Sequence, residues 1–206
     1  IDAYFKNGKP KQIEYPDYVL VKAAQFSFAK LNGADPVLHV EMSSTGEAAA
    51  FGEDVYEAFY KAMLSVDEPP PRKGVFVTVT GLENKMSIFS TVFRLSRLKI
   101  PIYSTSNTHK FLLENGIRTN LIRKIHDKKG PNILTLFEDG KVDLVISSID
   151  INTKKEVDDH TIMRRAAVDY NVNIVTNLRK AQLFIKSVYS KRVEDLKIKS
   201  YEDYQI

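Results

Sequence analysis

The pattern of apolar and polar positions changes character at Asp67-Glu68-Pro69-Pro70-Pro71-Arg72-Lys73-Gly74, where three successive prolines forbid a continuing helix and favour a stiff, extended connection. Past the prolines, short β-branched runs alternate with segments that carry an apolar residue every three or four positions. That alternation is the signature of a parallel sheet flanked by helices. Val75 to Val79 predicts the first strand, and Lys85 to Leu98 a helix with Ile88, Val92 and Leu95 on one face. Ile100 to Tyr103 predicts a second strand, followed by a helix from Asn107 to Glu114 that Asn115-Gly116 stops, because glycine accepts a left-handed cap. Ile117 to Ile122 reads as a third strand, with a short helix from Asn132 to Glu138 closed by Gly140. Val142 to Ile146 with a helix from Asp159 to Tyr170, and Val172 to Val175 with a helix from Leu178 to Val188, complete five units. The expected fold class is α/β, a five-stranded parallel sheet with flanking helices.

Before the prolines, Val19 to Phe28 reads as a strand, and Glu53 to Leu64 as a helix with Val55, Ala58, Phe59, Ala62 and Met63 at helical spacing. These elements are too few to bury an independent core. The chain opens on Ile1 rather than Met, so a fragment or split subunit is expected. The division expected is residues 1–68, a linker over 69–73, the α/β unit over 74–190 and a tail over 191–206. With the prolines as the seam, the α/β unit should survive removal of residues 1–70.

The chain has 206 residues, 30 basic against 26 acidic, and no cysteine. Disulfides, thiolate metal sites and a cysteine nucleophile are therefore excluded, and a reducing, cytoplasmic setting is the expectation. Runs such as Val75 to Val79 fall far short of the roughly 20 apolar residues of a membrane helix. The most basic stretches, Arg118 to Lys129 and Lys186 to Lys199, also hold Asp127, Glu194 and Asp195 and lack interleaved aromatics, so they read as solvated faces rather than a nucleic-acid surface. His39, His109, His126 and His160 are scattered without metal-ligand spacing, and no P-loop, G-x-G-x-x-G or G-x-S-x-G occurs.

Ligands of parallel sheets bind beyond the carboxyl ends of the strands. After the second strand comes Ser104-Thr105-Ser106-Asn107-Thr108, a hydroxylic turn opening a helix; it reads either as an anion site or as a helix cap made by Thr105 or Ser106. Lys85 follows the first strand and Lys124 the third, so both are candidates for one cationic rim. Ser147-Ser148 follows the fourth strand and Thr176-Asn177 the fifth, as polar-ligand contacts or ordinary turn residues. Arg164 is expected to point outward, with Arg164-Arg165 pairing to Asp143, Asp159 or Asp169.

Two stretches carry a resemblance. Gly33-Ala34-Asp35-Pro36-Val37-Leu38 and Glu41-Met42-Ser43-Ser44-Thr45-Gly46-Glu47 resemble a segment in the second ATP-grasp half of the carbamoyl-phosphate synthetase large subunit. The five units, with Ser104 to Thr108, Glu114 to Ile117, Gly140 to Ser147, Ile162 to Val172 and Thr176-Asn177 in order, resemble the methylglyoxal-synthase-like regulatory domain of the same subunit. The resemblance implies an ATP-grasp fragment before the sheet, and a parent ligase that makes carbamoyl phosphate from ATP, bicarbonate and glutamine-derived ammonia for pyrimidine and arginine synthesis. It places ATP and Mg or Mn in the full subunit with no cofactor in this segment, which alone is not catalytic. It implies as partners the rest of the large subunit, a glutaminase small subunit and a small effector, with no nucleic acid or membrane and with room for an oligomer.

Lys85, Thr105, Asn107, Thr108, Lys124, Ser147 and Ser148 are the implied effector residues. A lysine at position 124 matches the pyrimidine-regulated enzymes, which points to a uridine nucleotide or IMP; the N-acetylglutamate-dependent enzymes resemble one another in a tryptophan there. Ala23 stands where ornithine-activated enzymes carry glutamate, and Asn107 where glycine is usual, a replacement that tolerates a left-handed turn. A methylglyoxal synthase is the rival enzyme, but its loop aspartate has no counterpart in Lys128-Lys129-Gly130-Pro131-Asn132. A stand-alone nucleotide-binding or oligomerisation module is the other alternative.

Overall fold

A computed structural model describes residues 5–6, 9–10, 17–26, 44–127, 130–148 and 154–204. The stretch from Gly33 to Ser43 and the pair Lys128-Lys129 lie outside the described residues. Two short strands, β1 (Phe5–Lys6) and β2 (Lys9–Pro10), pair antiparallel near the start. Strands β3 (Val19–Gln25) and β4 (Gly46–Gly52) form a second antiparallel pair, with Ala23 opposite Ala48. Helix α1 (Val55–Ser65) packs on this pair and opens with a cap, since Asp54 accepts from the Glu57 amide at 2.8 Å.

After the prolines, β5 (Val75–Val79), β6 (Ile102–Ser104), β7 (Asn120–Leu121), β8 (Leu144–Ser148) and β9 (Asn173–Val175) form a parallel sheet in the order β7-β6-β5-β8-β9. The first strand thus sits at the centre. The chain winds outward through β6 and β7, crosses over, and winds outward again through β8 and β9, the doubly wound arrangement whose ligand crevice lies where the direction reverses.

Helices α2 (Leu82–Arg97), α3 (Ser106–Glu114) and α6 (Leu178–Ser190) cover one face, and α4 (Ile133–Glu138) and α5 (Lys154–Asp169) the other. Both faces bury apolar residues, as expected of a parallel sheet. Val75, Val77 and Val79 meet Ile88, Val92, Leu95, Phe184 and Ile185. On the opposite face Phe76 and Val145 meet Ile133, Leu136, Phe137, Met163 and Ala167.

Several boundaries differ from expectation for identifiable reasons. The third strand starts at Asn120, not Ile117. Gly116, at φ 82°, ends α3 in the left-handed region, the Gly116 amide donates to Leu113, and the Ile117 amide donates back to Leu112 at 2.8 Å. This double closure, with Ile117 and Leu112 both buried, commits Ile117 to the helix end rather than to the ladder. After α4 the Lys141 amide returns to Leu136 in the same way, and β8 begins two residues later than Val142. Ser147 and Ser148 are consequently strand residues rather than a turn beyond the strand.

The prolines do not divide two packing units. Ala62, Met63 and Val66, from α1 and its end, lie in the same apolar cluster as Val75, Phe184 and Ile185, and Phe59 packs on Phe184 with ring centroids 6.5 Å apart. Glu57 is buried between two lysines, 2.7 Å from Lys61 of its own helix and 2.7 Å from Lys191 at the end of α6. The tail continues the contact. Lys197 and Lys199 both reach Glu53, and the Tyr204 ring packs against Phe51 and Tyr18. Ala23 is buried against α1 in this assembly.

Candidate functional site

The cavity that matters chemically lies beyond the carboxyl ends of β5, β6 and β7 and measures about 330 Å³. That is the lower end of the ~300–1,000 Å³ typical of small-molecule sites. Its position follows from the strand alternation. Phe76 and Thr78 point to the α4–α5 face, as do Val145 and Ser147, which pair with them in register. Each strand therefore turns from apolar to hydroxylic as it reaches its end. Thr105, one residue past β6, continues the row, and its hydroxyl shares a 3.0 Å hydrogen bond with that of Thr78.

Thr105 occupies the position before α3, and its side chain makes no capping bond. Its hydroxyl bonds Thr78 instead, so the Thr105 side chain leaves the first turn of α3 uncapped. Ser106 and Asn107 line the cavity there. This is the arrangement in which a helix terminus favours an anion. The reading of Thr105 or Ser106 as a side-chain cap does not hold. Nor does Asn107 stand in a left-handed turn: it lies within α3, and it is absent from the positive-φ residues among those described.

Lys124 and Arg123, from the segment after β7, line the same cavity. His126, three residues past Arg123, reaches across to Asp159 of α5 at 2.6 Å, and Arg123 bonds Asp127 at 2.9 Å. The floor is apolar: Phe76, Val79, Ile125, Ile133 and Met163. One cavity thus combines a cationic and amide-rich side, a hydroxyl row and an apolar bed.

The structure brings Thr105, Asn107 and Lys124 together and assigns the other expected residues elsewhere. Lys85 does not line the cavity. Helix α2 begins at Leu82, three residues sooner than expected, so Lys85 stands about one turn inside the helix rather than at its opening. Thr108 is buried. Its hydroxyl accepts from the Val79 amide at 3.1 Å and donates to the Val79 carbonyl at 3.2 Å, a staple between α3 and β5. Ser148 closes β8, and its carbonyl accepts from the Thr80 amide at 2.9 Å.

Ser147 is fully buried and bonds His160 at 2.6 Å. Arg164, expected to point outward, is 9% exposed and lies 2.7 Å from His160. Of the acids expected to pair with Arg164-Arg165, Asp169 does pair with Arg165, while Asp143 accepts the backbone amides of Arg72, Lys73 and Gly74 and Asp159 takes His126. Thr78, Arg123, Asp159, His160 and Met163 are lining residues not anticipated as such. The alternation Phe76-Val77-Thr78 and the four-residue spacing of His160 and Arg164 were the signals available. Among the described residues no group of three His, Asp or Glu could hold a metal ion, and no helix is long and apolar enough to cross a membrane.

Residues 87–176 match the family model described as "MGS-like domain". The C-terminal section of a carbamoyl phosphate synthase large chain from Methanocaldococcus jannaschii is 38% identical over 192 residues, covering 93% of this chain and 31% of its own length. A carbamoyl phosphate synthase large chain from Archaeoglobus fulgidus is 36% identical over 188 residues, covering 91% of this chain and 17% of its own. The chain thus spans a third or less of these curated relatives. The crystal structure of a methylglyoxal synthase from Elizabethkingia anophelis aligns at a TM-score of 0.40 and 14% identity, covering 66% of this chain and 94% of that one.

Proposed function

We propose, on the premise that residues 87–176 belong to the MGS-like domain family and that the chain corresponds to the C-terminal part of a carbamoyl phosphate synthase large chain, that this region binds an allosteric effector for such a subunit. The observation that carries the proposal is the cavity in which the open N-terminus of α3, the hydroxyl of Thr105 and the ammonium-bearing Lys124 converge over an apolar floor. Such a site suits a ligand with an anionic end and a flat apolar part, and a uridine nucleotide or IMP has that form. Charge-assisted hydrogen bonds contribute about 1.5–3 kcal/mol each. A few of them suffice for affinity near ~1 μM, about −8 kcal/mol.

In the full subunit the effector would control ATP-dependent synthesis of carbamoyl phosphate from bicarbonate and glutamine-derived ammonia, feeding pyrimidine and arginine synthesis in the cytoplasm. ATP, Mg or Mn and the glutaminase small subunit belong to that larger assembly. In this proposal residues 1–68 are the trailing edge of its ATP-grasp half, and the present segment binds without catalysing. Calorimetry tests the site. UMP or IMP binds with micromolar to sub-millimolar affinity, Lys124→Ala weakens binding about tenfold or more, and N-acetylglutamate does not compete. Tight N-acetylglutamate binding, or UMP binding untouched by Lys124→Ala, overturns it.

A further inference from the structure

Helix α2 is apolar on two faces, and the sheet accounts for one of them. Ile88, Val92 and Leu95 are buried with β5 and α6. On the outer face Leu82 and Met86 are each 65% exposed and Phe93 is 43% exposed. Phe89, half-buried beside them, sets its ring edge-to-face on Phe111, with centroids 6.4 Å apart. Leu82, Met86, Phe89 and Phe93 are spaced by four, three and four residues, the heptad spacing of a helix that packs along a second helix. A helix apolar on two faces has two surfaces to meet, and among the described residues the chain supplies only one.

The charges beside the stripe indicate what meets it. Glu83 stands in the first turn of α2, and Arg94 and Arg97 in the last. Glu83, Ser90 and Arg97, seven residues apart, run along one flank of the stripe. Arg97 lies over the Phe93 ring at 5.0 Å, and Arg94 bonds the Ser90 carbonyl of its own helix at 3.1 Å. Among the described residues none of these three charges has an oppositely charged partner. A helix with an acid at its start and bases at its end complements a copy of itself laid in the opposite direction and repels one laid in the same direction.

We propose that the outer face of α2 is a self-association surface, on which two copies of this chain pair through antiparallel α2 helices. Met86 of one copy packs on Phe89 of the other, and Leu82 on Phe93. In that register the two Met86 side chains meet at the two-fold axis, and Glu83 of each copy faces the end of the other α2 that bears Arg94 and Arg97. The contact uses the same patch on both copies, so it closes at two. None of the four stripe residues lines the cavity, so pairing stands apart from the effector reading.

Sedimentation velocity on the full chain tests it. A monomer–dimer equilibrium with a dissociation constant of ~10–100 μM is expected, the weak end suited to an interface built on one helix. Met86→Glu raises that constant about tenfold or more by setting two carboxylates in the apolar seam, and leaves the urea midpoint in place because Met86 is exposed. Arg97→Glu weakens pairing about threefold, and Glu83→Arg in the same chain restores most of it. The protein has no cysteine, so an introduced thiol is the only one present. Met86→Cys cross-links across the axis on oxidation, whereas Leu82→Cys, whose two copies lie about 16 Å apart along it, does not. A chain that stays monomeric up to about 1 mM, as it would if another partner owned this face, overturns the inference. So does a dimer that survives Met86→Glu, or one that cross-links through Leu82→Cys and not through Met86→Cys.

Discussion

The two faces of the five-stranded sheet are cut from the same strands yet finish differently. Beneath α2 and α6, the residues of β5 are Val75, Val77 and Val79, apolar to the last position, and β8 sets Leu144 and Ile146 beside the first two and ends on Ser148 beside Val79. Beneath α4 and α5, those strands begin with Phe76 and Val145 and finish on Thr78 and Ser147. An apolar strand end can be covered by helices with no further requirement. A hydroxylic end can be buried only where each hydroxyl finds a partner, as Ser147 does in His160 of α5 and Thr78 in Thr105, and the cavity opens beside them. Period-two alternation thus lets one strand serve packing on one side and recognition on the other, and the two duties can be perturbed separately.

The largest test removes the outer cover of the sealed face. Deleting residues 1–70 strips α1 from α6, baring Phe184, which Phe59 otherwise covers. The remaining chain is expected to lose cooperative unfolding in urea. A sharp transition within about 1 kcal/mol of the full chain would restore the prolines as a seam between independent units.

The next largest effect is electrostatic and sits where that cover meets α6. Burial is the strongest single influence on Glu57 and pushes its carboxyl up, but the hydrogen bonds and charges of Lys191 and Lys61 together outweigh it and bring it from 4.5 down to about 2. A carboxylate whose folded value lies below its unfolded value contributes stability at higher pH. That contribution is complete above pH ~4.5 and is lost as pH falls toward ~2. Glu57→Gln should cost about 2–3 kcal/mol at pH 7 and almost nothing near pH 2, read from urea midpoints across that range. A cost that does not change with pH would count against the ion pairs as its source.

The smallest effects on stability contrast two threonines three residues apart. Thr108→Val removes the staple from both polar groups of Val79 and should cost about 1–3 kcal/mol, with UMP affinity changed less than threefold. Thr105→Val breaks only the shared bond with Thr78 at the cavity and should cost less than about 1 kcal/mol while weakening UMP about tenfold. Equal effects of the two on both measurements would erase the distinction between the faces.

Much of the fold was legible because strand and helix periods are local properties. Val75 to Val79 appears as read, and Ile88, Val92 and Leu95 are buried together as their spacing implies. What escaped was set by closure and by register. The double hydrogen bond that draws Ile117 back to Leu112 decides where β7 begins, and no propensity at Ile117 records it. Lys85 left the expected rim because α2 gains a turn at its start. Three of the seven anticipated site residues, Thr105, Asn107 and Lys124, line the cavity because they follow strands that end at its edge. Ser147 and Thr108 became internal supports, since their hydroxyls found buried partners only the assembled sheet supplies. His160 and Arg164 lie one helical turn apart, but the bond of His160 to Ser147 required knowing which face of α5 meets β8.

Asp143 holds the entry to the sheet in a way that bears on movement. Its carboxylate takes the amides of Arg72 and Lys73 at 2.7 and 2.9 Å and that of Gly74 at 3.3 Å, just where the three prolines deliver the chain to β5. A rod of prolines that ends in such a clasp works as a keyed shaft. It can transmit torque from one side to the other but absorbs little by bending. Any swing of the preceding segment against the sheet would then have to be taken up elsewhere, in the packing of α1 on α6 and the lysine–glutamate pair that fastens it.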